Sequence, residues 1–114
     1  MTELKILLLE TGSERARHCA QLLTEAGHIV YAASNLEMAR ALLMRRQFDV
    51  LVCNMGFDYR HGLREGGRPL FDERGTRLII TSGQERGQDI VNFVARAAAQ
   101  LRNAQRAANS GAGD

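Results

Sequence analysis

The fold of this chain is decided by residues 4–33, which read LKILLLETGSERARHCAQLLTEAGHIVYAA. Residues 4–9 form a short apolar run, which is typical of a strand buried on both faces of a parallel sheet. Thr11 and Glu14 stand at the spacing of a capping box, which predicts that a helix begins there. The β-branched and aromatic run at residues 28–33 then predicts a second strand.

The strand–helix unit repeats along the chain. Ser34 and Glu37 stand at the same spacing and predict a second helix, and residues 48–53 (FDVLVC) predict a third strand. Each connection between these strands holds about a dozen residues or more and contains a helix, as parallel pairing requires. Residues 78–81 (LIIT) predict a fourth strand. We therefore expect an α/β protein with a parallel sheet.

The rest of the chain departs from this alternation. Residues 54–76 hold five glycines and the single proline and show no clear apolar period. Residues 88–108 predict one long helix, which could pack on the sheet or on a second copy of the chain. Its apolar stripe consists of Ile90, Val94, Ala97 and Leu101. We expect one domain over residues 1–108 and a disordered tail at 109–114.

Length, composition and charge exclude several classes of protein. The 114 residues suffice for one domain, and no window has the roughly 18 apolar residues that a membrane span requires. The 15 basic and 13 acidic residues are too balanced to indicate nucleic-acid binding. Cys19 and Cys53 lie in apolar surroundings without metal-ligand spacing. We expect buried, reduced thiols in a cytoplasmic protein with no metal and no cofactor.

The order and spacing of these elements resemble the receiver domain of bacterial two-component response regulators, which has the CheY-like, flavodoxin-type doubly wound fold. The stretches that carry the resemblance are KILLLE (5–10), NLEMARALLMRRQFDVLV (35–52) and LIITSG (78–83). The resemblance implies a site at the carboxyl ends of the strands. Too little chain follows Gly83 for the family's full ending, so we expect a degenerate C-terminal third with the fifth strand lost or altered.

The resemblance also implies which residues occupy the family's functional positions. Glu10 and Thr11 stand at the metal-binding acid pair, Asn54 at the phosphorylated aspartate, and Thr81 or Ser82 at the switch hydroxyl. An acyl phosphate requires a carboxylate nucleophile, which the amide of Asn54 does not supply. We expect Thr11 to cap the first helix and the hydroxyl after the fourth strand to make local backbone bonds.

The lysine that the family places near the phosphate is also missing. Lys5, the single lysine, begins the first strand at the opposite end of the sheet. We therefore expect a pseudo-receiver that is not an enzyme and is not phosphorylated. Such a chain would act as a protein–protein interaction module in bacterial signal transduction. Its partner would be a signalling protein that the sequence does not identify, and the terminal helix could make a homodimer.

Two alternatives remain open at this point. One is a binding module for an anionic nucleotide messenger such as a cyclic dinucleotide, because arginine suits bidentate recognition of phosphate. The arginines concerned are Arg60, Arg64, Arg68, Arg74 and Arg77. Acidic residues are interleaved with them, which favours a solvated and self-paired loop. The other alternative is a true phosphoreceiver with Asp58 as a substitute acceptor.

Overall fold

A computed structural model describes residues 3–72 and 74–112, the last four of them by backbone alone. The chain alternates strands and helices, with a small hairpin between the third and fourth long strands. The elements are β1 (Lys5–Leu9), α1 (Ser13–Glu25), β2 (Ile29–Ala33), α2 (Leu36–Arg45), β3 (Val50–Asn54), α3 (Tyr59–Gly62), β4 (Arg64–Glu65), β5 (Arg68–Pro69), β6 (Arg77–Thr81) and α4 (Gly87–Ala112).

The main sheet has four parallel strands in the order β2-β1-β3-β6. The predicted α/β class and the parallel sheet are confirmed, and the arrangement is compatible with a flavodoxin-like fold. The strand bounds differ from the predicted ones by one or two residues. β1 and β3 lie in the centre and bury nearly every side chain, because helices cover both faces of the sheet.

The two faces of the sheet carry separate apolar clusters. Ile6 and Val52 point to the face covered by α1 and α4, whereas Leu7 and Leu51 point to the face covered by α2 and the segment after β3. Alternation along each strand places successive side chains on opposite faces. The two cysteines are unpaired and buried, as the sequence predicts, with one in each cluster.

The helix caps differ from both predicted capping boxes. The N-cap of α1 is Gly12, which makes no side-chain cap bond, so Thr11 lies one residue outside the helix and does not cap it. The N-cap of α2 is Asn35, whose side-chain oxygen accepts from the backbone N–H of Met38 at 2.8 Å. The hydroxyl of Ser34 instead lies 3.3 Å from the Met38 sulfur. In both cases the helix begins one residue later than predicted, and a neighbouring residue occupies the cap position.

The segment after β3 is ordered by local turns. α3 is a single turn, and β4 and β5 form an antiparallel hairpin. Gly66 and Gly67 connect the two strands with φ of +58° and +79°. A two-residue turn with positive φ at both positions follows the twist of a hairpin, and glycine adopts it without strain.

The C-terminal third has one helix and no fifth strand in the main sheet among the described residues. α4 has 26 residues and reaches Ala112, so it includes four residues of the predicted tail. Alanine favours helix propagation and no proline interrupts the segment. Residues 113 and 114 lie outside the described residues. No helix in the described part of the chain combines the length and apolar character that a membrane span needs.

The apolar stripe of α4 serves the domain's own core. Ile90, Val94 and Ala97 are buried against the face that α1 also covers, and Leu101 packs at the margin of the same cluster. Of the two alternatives left open for this stripe, the structure has packing on the sheet, so these four side chains are not a free dimer surface. Residues 102–108 are all exposed. The part of α4 that remains available for another molecule lies beyond Leu101.

Candidate functional site at the carboxyl ends of the strands

The carboxyl ends of β1, β3 and β6 bring Glu10, Asn54 and Thr81 to one edge of the sheet. Glu10 follows β1 and is only 6% exposed. Asn54 ends β3 and is in register with Thr81, which ends β6 and is 2% exposed. Parallel strands place their carboxyl ends side by side, which is why residues distant in sequence meet here.

The side-chain amide of Asn54 is held on both of its polar atoms. Its Nδ2 donates to Oε2 of Glu10 at 2.9 Å, and its Oδ1 accepts from the backbone N–H of Gly56 at 2.8 Å. A carboxylate can only accept and a backbone N–H can only donate, so these partners fix which way the amide points. The neutral amide is thus part of a satisfied network at the strand ends.

Arg15 forms an ion pair with the other oxygen of the Glu10 carboxylate. It lies in the first turn of α1, and its Nε is 3.2 Å from Oε1 of Glu10. The same guanidinium donates to the backbone oxygen of Glu85 at 2.6 Å and to its carboxylate at 3.2 Å. One arginine therefore joins β1, α1 and the loop after β6, and its planar fork suits this shared geometry.

The loop after β6 is organised by the Glu85 carboxylate. Glu85 accepts from the backbone N–H groups of Ser82 and Gly83, at 2.8 Å and 3.1 Å, and from the Ser82 hydroxyl at 3.1 Å. These bonds favour the ionised form. The backbone N–H of Ser82 is the largest cause, and together the bonds lower the pKa of Glu85 from 4.5 to about 2. Gly83 has φ of +90°, and a Cβ there would approach Nδ2 of Asn54 to 3.3 Å.

The electrostatics of the site are nearly balanced. Glu10 and Glu85 contribute two negative charges and Arg15 contributes one positive charge between them. Both oxygens of Glu10 already have a donor, so a hard cation would have to displace Asn54 or Arg15 to reach that carboxylate. Within residues 3–72 and 74–112, no group of three or more His, Cys, Asp or Glu side chains is placed to hold a metal ion.

The neighbouring thiol is poorly suited to nucleophilic chemistry. Cys53 precedes Asn54 and is fully buried. Burial, followed by the negative charge of Glu10, raises the pKa of this thiol to about 11. Since the thiolate is the reactive form, Cys53 is held in its unreactive state at neutral pH.

The other residues that the sequence assigns to the site lie at its margin or have separate roles. Thr11 is exposed beside Glu10. The Ser82 hydroxyl donates to the Glu85 carboxylate and accepts from the backbone N–H of Gln84 at 3.3 Å, and it makes no hydrogen bond to Asn54. Asp58 caps α3 and lies 3.0 Å from Nδ1 of His61, and this hydrogen bond is the main reason that its pKa is lowered.

The five loop arginines do not form one cluster. Arg64 donates to the backbone oxygen of Gly67 within the hairpin, and Arg60 lies over the ring of Tyr59. Arg77 faces a different groove, beside α4. The hairpin and the strand that follows it direct these side chains apart, so their closeness in sequence does not place all five at one site.

Two of these arginines nevertheless join two others that sequence reasoning missed. Arg68 and Arg74 line a groove of about 950 Å³ together with Arg45 and Arg46, which end α2. Arg46 also stacks over the ring of Tyr31, with 4.8 Å from Cζ to the ring centroid. The sequence shows Arg45 and Arg46 as a helix C-terminus, and only the tertiary fold brings them beside the hairpin.

Sequence reasoning also missed Arg15 and Glu85, which complete the network at the strand ends. Arg15 reads as a solvent-facing residue of an amphipathic helix, and Glu85 lies in a polar loop with no recognised motif. The one available signal is spacing, because Arg15 follows Glu10 across a short turn. Glu85 carries no such signal, since its contact with Arg15 spans 70 residues.

Comparison with known proteins adds information on the fold. No family model and no curated protein matches the chain. Among solved structures, the chain is similar to a fusion of the trimeric coiled coil of yeast Spc42, amino acids 181–211, with another structure. The two are 18% identical with a TM-score of 0.61, and the match covers 98% of this chain and 85% of the other. At this identity the similarity describes the fold alone.

Proposed function

We propose that this chain is a receiver-like domain, with the CheY-like doubly wound arrangement, that works without phosphorylation as an interaction module in bacterial signal transduction. The observation that carries the proposal is the hydrogen bond from Asn54 Nδ2 to Glu10 Oε2 at 2.9 Å. A carboxamide stands where the resembled family has its acceptor carboxylate, and it is bound to the acid that would otherwise help to hold a cation. Two buried reduced thiols suit a cytoplasmic setting.

Phosphoryl acceptance would fail here for two separate reasons. The attacking group would be a neutral amide that already donates to Glu10 and accepts from Gly56. Charge on the transferred group would also lack its usual compensation, since Arg15 is engaged by two glutamates. The function we propose is therefore not an enzymatic one, and it depends on surfaces of the domain.

Intact mass spectrometry after incubation with acetyl phosphate and Mg²⁺ tests this proposal. We expect no gain of a phosphoryl group, while a phosphorylatable receiver domain treated in parallel gains one. The matched variant is Asp58→Asn, which removes the exposed carboxylate nearest in sequence to Asn54. Stable phosphorylation of the natural chain that disappears in this variant would overturn the proposal and establish Asp58 as a substitute acceptor.

We propose further that self-association, where it occurs, uses α4 beyond Leu101. Residues 102–108 are exposed, and their sequence RNAQRAA has alanines that permit close helix approach. The similar solved structure is a trimeric coiled-coil fusion, which makes oligomerisation worth testing. Light scattering coupled to size exclusion should show a larger mass for the full chain than for a variant ending at Leu101. An unchanged oligomeric state would exclude this segment as the interface.

A second candidate function is the binding of an anionic nucleotide, and the arginine groove favours it. Arg45, Arg46, Arg68 and Arg74 line one groove, in which Asp49 and Asp72 are the acidic members among the residues that the structure describes. Arginine binds phosphate oxygens in bidentate fashion, and four such side chains outnumber the two acids. Calorimetric titration with a cyclic dinucleotide should give heat that is lost in Arg68→Gln. Absence of heat at millimolar ligand would remove this candidate.

A further inference from the structure

The outer edge of β6 has the features of a peptide-docking site. β6 is the last strand of the main sheet, and its one neighbour in that sheet, β3, is in register with it from Arg77 to Thr81. The backbone N–H of Arg77 donates to Asp49 and the backbone oxygen of Thr81 accepts from Met55, so both residues face the β3 side. Because bonding directions alternate along a parallel strand, Leu78 and Ile80 direct their N–H and C=O groups outward.

No strand covers this edge among the described residues. A row of outward backbone groups is a template for an added strand, and extended peptides bind several proteins in this way. Ile80 is 43% exposed on the same strand, which leaves apolar surface next to the open backbone groups. The edge thus offers both main-chain bonds and apolar contact to an incoming segment.

A groove of about 630 Å³ lies between this edge and α4. Phe93, Arg96 and Ala97 form its wall on α4, and β6 forms its floor. An extended segment seated along β6 would therefore have one face against α4 and would not lie exposed on both faces. Five residues of β6 offer about 17 Å of pairing length at the usual rise of a strand.

The positive charges that line the groove favour an acidic occupant. Arg77 and Arg96 are its charged lining residues, and no acidic residue lines it in the described part of the chain. Nε of Arg77 is buried and has no hydrogen-bond partner among the described residues. A buried donor without a partner is costly, and a carboxylate bound at the groove-lining side of this guanidinium would place a compensating negative charge beside it.

We propose that β6 pairs with an extended acidic peptide segment of a partner protein, whose carboxylates meet Arg77 and Arg96. The segment would alternate acidic and apolar residues, with the acidic side chains toward α4 and the apolar ones beside Leu78 and Ile80. This inference names the partner chemistry of the interaction module and rests on that proposed function. A second copy of β6 would bring its own Arg77 to a groove already lined by Arg77 and Arg96, so an acidic peptide suits this groove better than a second β6 does.

The test uses the full chain and a fluorescent seven-residue peptide of alternating glutamate and valine. We expect saturable binding by anisotropy, and hydrogen exchange at the Leu78 and Ile80 amides should slow when the peptide is bound. Binding should weaken about tenfold in Arg96→Glu, because the reversal places like charges together. It should be unchanged in Arg17→Glu, which alters an exposed arginine of α1 outside the groove.

Two further peptides separate charge from strand pairing. Replacing each glutamate with lysine should abolish binding, and methylating all the backbone nitrogens of the peptide should abolish it as well, because the added strand loses its donors in either direction of pairing. Equal binding of the lysine peptide would overturn the proposal. So would binding of the acidic peptide without added protection of Leu78 and Ile80.

The remaining outcome concerns a second copy of the chain. Protection of the Leu78 and Ile80 amides that rises with protein concentration, in the absence of peptide, would show that β6 pairs with another β6 and would overturn the acidic-peptide proposal. Failure of the peptide to bind leaves the acetyl phosphate experiment unaffected. A failed β6 site and a failed pseudo-receiver function are therefore distinguishable.

Discussion

Replacing Asn54 with aspartate exchanges the side-chain NH2 for a carboxylate oxygen at the centre of the strand-end network, and this exchange should destabilise the domain. Nδ2 of Asn54 lies 2.9 Å from Oε2 of Glu10, so Asn54→Asp puts two carboxylate oxygens at a hydrogen-bond distance with no hydrogen between them. The lost bond to a charged group is worth about 1.5–3 kcal/mol. Two full charges at that separation repel by at most about 6 kcal/mol in a medium of effective dielectric constant about 20.

Part of this repulsion is relieved within the site. Arg15 lies 3.2 Å from the other Glu10 oxygen, and the new carboxylate can rotate toward water since the position is half-buried. We therefore expect the free energy of unfolding to fall by about 2–4 kcal/mol at about pH 8, out of a total that is about 5–15 kcal/mol for typical domains. Because protonation of one carboxyl removes the like-charge repulsion, the loss should shrink as the pH falls.

Urea unfolding followed by circular dichroism measures these changes. The matched control is Asn54→Leu, which loses the hydrogen bond without adding charge and should show little dependence on pH. Millimolar Mg²⁺ should recover part of the stability of the aspartate variant and leave the natural chain unchanged. An aspartate variant that is as stable as the natural chain at about pH 8 without Mg²⁺ would refute the contact between Asn54 and Glu10.

Three further predictions follow from other described features. The pKa of Glu85 is lowered from 4.5 to about 2, so the stabilisation by its carboxylate is present above about pH 4.5 and is lost as the pH falls toward 2. The free energy of unfolding should therefore decline less steeply over this range in Glu85→Gln than in the natural chain. Equal slopes would contradict the loop contacts. Cys53 and Cys19 should resist iodoacetamide under native conditions at about pH 8 and react in urea, because burial raises the pKa of both thiols. Rapid labelling of the native chain, detected by mass, would contradict this. Leu51→Ala should lower the free energy of unfolding by about 3 kcal/mol, measured in urea, since Leu51 is fully buried in a central strand; a loss below about 1 kcal/mol would mean that the core is packed otherwise.

The sheet could be predicted from sequence because its central strands are buried on both faces. Runs such as residues 50–53 consist of apolar residues in succession, and the connections between the runs have the length that a crossover between parallel strands requires. The helix starts were less predictable. Thr11, Gly12, Ser34 and Asn35 are all acceptable caps, and tertiary contacts decide which of each adjacent pair is used.

The candidate site was predictable only where a strand end carries the residue. Glu10 immediately follows β1 and Asn54 ends β3, so topology alone brings them to one edge. Arg15 and Glu85 meet across 70 residues, and their contact depends on how the loop after β6 folds back over α1. The arginine groove depends likewise on the hairpin that sets Arg68 beside the end of α2. Long-range placement of polar side chains leaves no periodic signal in the sequence.

The continuity of α4 has a mechanical consequence. One end of the helix is anchored in the core through Ile90 and Val94, and residues 102–112 continue from it for about 16 Å without a break. A helical rod of this length transmits rotation from one end to the other and does not act as a flexible tether. A molecule that binds residues 102–112 therefore also fixes the orientation of the sheet relative to itself, including the open edge of β6 and the network at the strand ends.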